Sequence, residues 1–409
     1  MERAALSVGF VMLHTSPLDV PGTKDAGGMN VVVRAQADAL ALAGHRVVIF
    51  TRRADGAAPA VVELASGVTV VHLDAGPARV ISKGEHEEVI EDFGRALAAA
   101  LERDPVDLLH AEHWFSGIAA LGTARAAGIP LVQSYHSIAA APDTPLTEGE
   151  RPESPGRLAG ELLLAHEADL VISVSEAERR TVLERFDADP ARVRVVPLGV
   201  DTELFHPCEG RECEERRDWL DRGGRPEVLV VGRLHPLKGF DLAIDAVAAI
   251  PAEDRPALRI VGAPPPDGDD YVRGLHEAVL QHGMISTTSF DGALRRSELA
   301  ERIRRAAVVL VPSHSETFGL VALEAAASGV PVIARNTGGL REAVVDGVTG
   351  ELVTGDEPAD WARAITRLLD DTARAERMGA EARRHALSRS WDASAERLLE
   401  VYREFLATR

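Results

Sequence analysis

Two glutamates eight residues apart are the first chemistry in this chain. In PSHSETFGLVALEAAASGVPVIA, Glu316 follows an apolar run that reads as a strand, and Glu324 falls inside the next helix. Between them, Phe318-Gly319-Leu320-Val321 supply the helix start, whose free N–H groups suit a phosphate or a sugar oxygen. Carboxylates beside an anion site conflict until the ligand is a sugar nucleotide. They then accept from sugar and ribose hydroxyls while the N–H groups hold phosphate. Acidic residues at a helix start are also ordinary caps, so the whole string carries the reading, not the pair. Upstream, VGRLHPLKGF sets Arg233 at a strand end and Lys238 before a helix start near Gly239. One planar fork and one point charge at a carboxyl edge suit a diphosphate that gains charge as it departs. The plain alternative is a pair of solvated loop charges.

A second loop carries the same kind of signal. HTSPLDVPGTKDAGGMN, His14 to Asn30, follows the first apolar run directly. It is long and polar for a connector. Gly27 and Gly28 let the backbone approach a ligand at the start of the following helix, so an anionic ligand is the functional reading. The chain's only lysines are Lys24, Lys83 and Lys238, each in a glycine-containing loop. Arginine is the default base here, which fits coding bias, yet a retained lysine also marks a place that wants a compact ammonium.

The elements that must position these residues alternate. Strand-like runs LSVGFVML, HRVVIFT, VTVVHL, DLLHAE, PLVQSYHS, DLVISVS and VRVVPLGV are separated by amphipathic stretches such as EVIEDFGRALAAALERD. The helix after Gly28 places Val33, Ala37, Leu40 and Ala41 on one face and stops at Gly44. Near Asp201 the pattern breaks into a charged segment. A second series follows: EVLVVGRL, LRIVGA, ISTTSF, AVVLVPS and PVIARN. This is the α/β pattern of two doubly wound parallel sheets, and 409 residues exceed one core. The last stretch, from Trp391, is a helix with Leu398, Val401, Tyr402 and Phe405 on one face.

A net charge of −19 opposes nucleic-acid binding, which needs a basic face. No apolar run reaches the roughly 18 residues of a membrane span, and the N-terminus reads as a first strand. Cys208 and Cys213 make neither a disulfide framework nor a four-ligand metal site, so a cytoplasmic protein is expected. Two D-x-D strings, Asp187-Ala188-Asp189 and Asp267-Gly268-Asp269, read as solvated turns rather than metal ligands.

HSETFGLVALEAAASGVPVIA, GRLHPLKG and the glycine loop resemble the GT-B glycosyltransferases of family 4 over essentially the whole chain. HTSPL…PGTKDAGGMNV, AEHWFSG, YHSIAA, FDADPARVRVV and GVDTELF resemble its mycothiol-pathway subgroup, which glycosylates inositol phosphate. The resemblance implies a GT-B fold: Rossmann-like domains at 1–200 plus 391–409 (acceptor side) and 201–390 (donor side) face a cleft. The C-terminal helix crosses back to the first domain. It also implies retaining transfer from a nucleoside-diphosphate sugar, GDP- or UDP-linked, with no further cofactor or metal. The partners expected are a small-molecule donor and acceptor and a second copy of the chain, with no nucleic acid and no membrane.

By the same resemblance, His14, Gly27 and Gly28 lie near the donor diphosphate, and Arg233 and Lys238 bind it. Glu316 touches the transferred sugar, Phe318 to Val321 offer the helix start, and Glu324 holds the ribose. His136, Glu316, Lys238 and Arg233 form the catalytic set. The acceptor side falls on Asn30, Lys83, His113, Ser137 and Leu158. There the chain departs from the subgroup: a tyrosine position reads His113, and an arginine position falls on Leu158 beside Arg157. Those departures point to a less anionic acceptor. The expectation is therefore a small-thiol or antibiotic-pathway enzyme, like the lincosamide relative that joins a GDP-linked octose to ergothioneine. Transfer of N-acetylglucosamine from UDP to inositol 3-phosphate is the enzyme alternative. A non-catalytic sugar-nucleotide-binding protein is the alternative of another class.

Overall fold

The computed structural model describes residues 5–22, 26–210, 218–219, 222–264 and 268–408. Lys24, Cys213 and Asp267, singled out above, lie outside them. The described residues fall into two compact units. One holds residues up to 19, residues 26–199 and the chain from Trp391 onward; the other holds residues 20–22 and Val200–Ser390.

In the first unit the apolar runs form β1 (Ser7–Met12), β2 (Arg46–Arg52), β4 (Thr69–Leu73), β5 (Leu108–Glu112), β6 (Leu131–Ser134), β7 (Leu170–Ser173) and β8 (Val193–Val195), with β3 (Val61–Glu63) added at an edge. The sheet order is β3-β4-β2-β1-β5-β6-β7-β8. Every pair is parallel except β3 with β4. Val8 lies in register between Val47 and Leu108, with apolar layers on both faces of the sheet. Continuous apolar strands are what burial on two sides requires. The helix Gly28–Leu42 buries Val33, Ala37 and Leu40, and the C-terminal helix Trp391–Leu406 packs against it through Leu398, Val401 and Tyr402.

The second unit carries β9 (Glu227–Val231), β10 (Ala257–Val261), β11 (Thr288–Gly292), β12 (Val308–Val311), β13 (Val332–Arg335) and β14 (Gly350–Val353). Their order is β11-β10-β9-β12-β13-β14, all parallel. Both sheets are doubly wound, as the alternation predicts. Two short strands, β3 and β14, were not among the runs read from the sequence. Cys208 is disulfide-bonded.

In each sheet the chain winds outward in opposite directions from one adjacent pair: β1 and β5 in the first, β9 and β12 in the second. At such a reversal the loops leaving the two carboxyl ends part and open a crevice for ligand. The loops that leave β1, β9 and β12 contain His14, Arg233, Lys238 and Glu316, and His113 opens the helix that follows β5 directly.

Candidate active site

In the second unit, the loop after β9 tightens into a turn, Pro236–Lys238, whose first N–H is fixed by the His235 ring: Leu237 N donates to His235 Nδ1 at 3.1 Å. That turn delivers Lys238, whose Nζ donates to Glu316 Oε2 at 2.6 Å. Arg233 lies half-buried in the same loop. Glu316 comes from the loop after β12, so two neighbouring strand ends supply one ammonium–carboxylate pair. Gly319 then caps the helix Leu320–Ala327 in left-handed backbone, φ 101°, with the Leu340 side chain against it. A side chain there meets both strain and a clash. Phe318 is buried beneath the turn, while Leu320 and Val321 are half-buried at the helix start.

Glu324 is buried inside that helix and accepts from Arg296 Nη1 at 2.8 Å. Burial pushes its carboxyl up, and the Arg296 guanidinium opposes that. Arg296 itself lies over the Phe205 ring, 4.9 Å from the centroid. Sequence reasoning did not single out Arg296, the partner of Glu324. Arg296 sits in FDGALRRSEL, where spacing alone could not show which arginine meets Glu324.

In the first unit, the loop after β1 is held by Asn30. Its Oδ1 accepts from Gly27 N at 3.0 Å, and its Nδ2 donates to Thr15 Oγ1 at 2.8 Å and to Ser16 O at 2.7 Å. Asn30 is buried, and both of its amide hydrogens are used inside the loop. In this structure Asn30 staples the loop that was expected to face an acceptor. Gly28, at the start of its helix, has open space where a Cβ would stand.

Three histidines gather behind that loop. The rings of His14 and His113 are 4.4 Å apart, Phe115 lies 5.1 Å from His113, and His86 closes the group 6.1 Å from His14. His113 is buried and occupies left-handed backbone, φ 72°, and neither ring nitrogen has a hydrogen-bond partner among the described residues. Burial, with His14 and Lys83 adding repulsion, holds its pKa well below the usual histidine range. His113 is therefore a neutral imidazole, with one donor and one acceptor to offer.

His136 follows β6 at φ 59°, the other histidine in left-handed backbone. Its Nε2 donates to Glu112, the last residue of β5. Burial opposes the imidazolium, but the charge and hydrogen bond of Glu112, with the charge of Glu178, together raise the pKa. Backbone of this kind costs of order 1–3 kcal/mol per residue and gathers at functional loops.

Below Ser137 lies a knot of charge. Arg157, fully buried, donates from Nη2 to Ser137 Oγ at 2.9 Å, from Nε to Glu161 at 2.8 Å, and to Glu150 and Glu153 from Nη1. Lys83 Nζ reaches the same two glutamates, at 3.5 Å and 3.8 Å. Trp114 Nε1 donates to Glu153 at 2.7 Å. Leu158 does not join the knot: its side chain is exposed. The arginine therefore remains inside, one position before the residue named from the sequence.

Of the two D-x-D strings, Asp187, Asp189 and Asp269 are among the described residues. Asp187 ends a helix in left-handed backbone, and Asp189 Oδ1 accepts from Ala191 N at 2.9 Å in the turn before β8. Asp269 opens the helix Asp269–Gln281. No described helix is long and apolar enough to cross a membrane.

Residues 26–204 match the family described as Glycosyltransferase Family 4, and residues 212–385 match Glycosyl transferases group 1. A D-inositol 3-phosphate glycosyltransferase of Thermomonospora curvata is 42% identical over 98% of this chain and 96% of its own length. One of the same name from Kineococcus radiotolerans is 41% identical over 98% and 96%. Among solved structures, a sucrose-phosphate synthase from Thermosynechococcus elongatus is 31% identical with a TM-score of 0.88, covering 99% of this chain and all, 100%, of that one. An Anabaena protein solved with UDP-glucose shares the fold at a TM-score of 0.77 and 21% identity, over 98% and 100% of the two chains.

Proposed function

The chain belongs to glycosyltransferase family 4, with the GT-B fold, and on that premise we propose that it moves N-acetylglucosamine from its UDP conjugate to inositol 3-phosphate. The observation that carries the donor half is the Lys238–Glu316 pair at 2.6 Å, beside the Gly319-capped helix at a sheet reversal. Lys238 and Arg233 meet the diphosphate, Glu316 the sugar hydroxyls, and Glu324, braced by Arg296, the ribose. The acceptor is held in the first unit by Lys83, Ser137 and the ring nitrogens of His113. The transfer retains anomeric configuration: the nucleoside diphosphate leaves from the face at which the acceptor oxygen arrives, and its phosphate takes the acceptor's proton. The protein's part is positioning and charge stabilisation. The acceptor choice is supported by the names of relatives near 40% identity over almost the whole chain.

One observation favours a second reading. Both cations near Ser137 are matched by carboxylates, since Glu150 and Glu153 reach Lys83 and Arg157 alike. A zwitterionic small thiol meets a balanced site at less cost than a phosphate. Turnover of the purified protein separates the two. Consumption of UDP-N-acetylglucosamine with inositol 3-phosphate supports the first reading. Turnover of a GDP-linked sugar with a zwitterionic thiol, and none with inositol 3-phosphate, replaces it with the second.

A further inference from the structure

Glu112 has a task that no part of the preceding reading uses. It ends β5, is 1% exposed, and has two oxygens placed differently. One accepts from His136 Nε2. The other lies 3.5 Å from His110 Nδ1. His110 cannot be the cation that balances it. Burial lowers the His110 pKa. The Ser134 hydroxyl donates to Ile172 O at 3.1 Å, so His110 Nε2, 2.9 Å from that hydroxyl, must carry its ring proton. His110 Nδ1 then receives the Tyr402 hydroxyl at 2.6 Å and has no proton to give Glu112. The charge of Glu112 is left to be met from His136.

The ring of His136 is fixed on one side by this bond and on the other by the left-handed backbone that carries it. Glu178, from the helix Glu176–Phe186, adds attraction, while His110 and His113 are the neighbouring imidazoles on which His136 acts. With Nε2–H directed to a carboxylate, the protonation state of the ring decides what the second nitrogen is. In the neutral ring Nδ1 accepts; in the imidazolium it donates.

We propose that Glu112 is a positioning residue for glycosyl transfer, fixing the His136 ring and keeping its second nitrogen a hydrogen-bond donor to negative charge on the substrates. This rests on the reading of His136 as a residue of the transfer site. The carboxylate acts through the imidazole and touches no substrate itself. A donor held this way suits a departing diphosphate or an anionic acceptor better than proton abstraction from a hydroxyl, because the carboxylate holds the ring in its protonated form.

The test uses the full chain in three forms: wild type, Glu112→Gln and Glu112→Asp. Side-chain NMR follows the His136 ring through its titration, and kcat and KM with UDP-N-acetylglucosamine and inositol 3-phosphate are measured across pH. The wild-type rate should fall on the basic limb as His136 loses its proton. Glu112→Gln should move that limb down by about one pH unit or more, a shift typical of losing a charge partner. Between the new limb and the wild-type limb, kcat should drop by about tenfold for each pH unit of displacement. Donor KM should stay within about threefold, since the loss lies in the transition state. Glu112→Asp should keep much of the wild-type limb. If Glu112→Gln does not fold, the aspartate variant, with its shorter reach, must show the same movement in part. An unmoved limb in a folded variant overturns the proposal, whether or not the ring titration moves. A wild type that turns over no donor refutes the proposed function instead. The ring titration then decides the inference: the same His136 midpoint in wild type and Glu112→Gln overturns it.

Discussion

Lys238 and Glu316 form an ion pair that spans two strand ends, and the pair states its own test. Lys238→Ala removes a preorganised donor to developing phosphate charge, and kcat should fall by at least about 10²-fold. A rate near wild type removes Lys238 from the mechanism. Arg296→Ala leaves Glu324 buried without its guanidinium, so the donor should bind less well and KM for the nucleotide sugar should rise more than kcat falls. Equal loss in both places Arg296 elsewhere. Glu178 gives a pH signature. Its carboxyl is buried, and burial pushes its pKa from 4.5 to about 7. Between those values the native state keeps a proton that the unfolded chain has lost, so this group's contribution to stability falls as pH rises through the window. Glu178→Gln should therefore gain in Tm relative to wild type as pH is raised from about 4.5 to 7, and a constant difference refutes the assignment. At this scale the sequence told residue types well and partners poorly. Glu316, Glu324, Arg233 and Lys238 stood in one-dimensional strings whose order sets their place. Arg296 meets Glu324 from 28 positions away, and Glu112 meets His136 from 24 away, pairings that only the fold brings together.

Secondary structure was the more legible level, because its cause is local. Continuous apolar runs bounded by glycine and charge became strands buried on both faces, and a 3.6-residue repeat became the helix that packs against the C-terminal helix. β3 and β14 escaped for physical reasons. β3 is three residues at an edge, with two of them exposed, and β14 reads GELV, whose glycine and glutamate break an apolar run. Leu158 shows the limit of matching by position: one step along a helix turns a side chain by about 100°. The arginine beside it points inward to Ser137 while the leucine is exposed. Asn30 shows another limit. Its spacing after the glycines was visible, but its three bonds to the loop were not. Asn30→Ala should destabilise the fold by about 1–3 kcal/mol through the N–H and C=O groups it strands. Thermal denaturation should show the lower Tm, and proteolysis should speed up within residues 14–28. An unchanged Tm with lost acceptor affinity would instead favour the acceptor role for Asn30.

For the molecule as a whole, a net charge of −19 makes any anionic ligand depend on local cations such as Arg233 and Lys238. That sets a simple expectation for binding. UDP at about 100 times its dissociation constant should add roughly 2.7 kcal/mol of apparent stability. A thermal-shift series of UDP, GDP, ADP and dTDP should respond to UDP first, and a selective GDP response transfers support to the zwitterionic-thiol reading. The chain's path carries a further consequence. Val200 pairs with Ser390 in a bridge, and Val200 N donates to Arg389 O at 2.8 Å, so the long segment of the second unit begins and ends at one place. Loop closure then costs the first unit only about 0.6 kcal/mol more for each doubling of the segment between. Residues 200–390 are thus joined to the first unit as a cassette, whose length can change at a single splice point while the sheet around β1 and β5 keeps its own register.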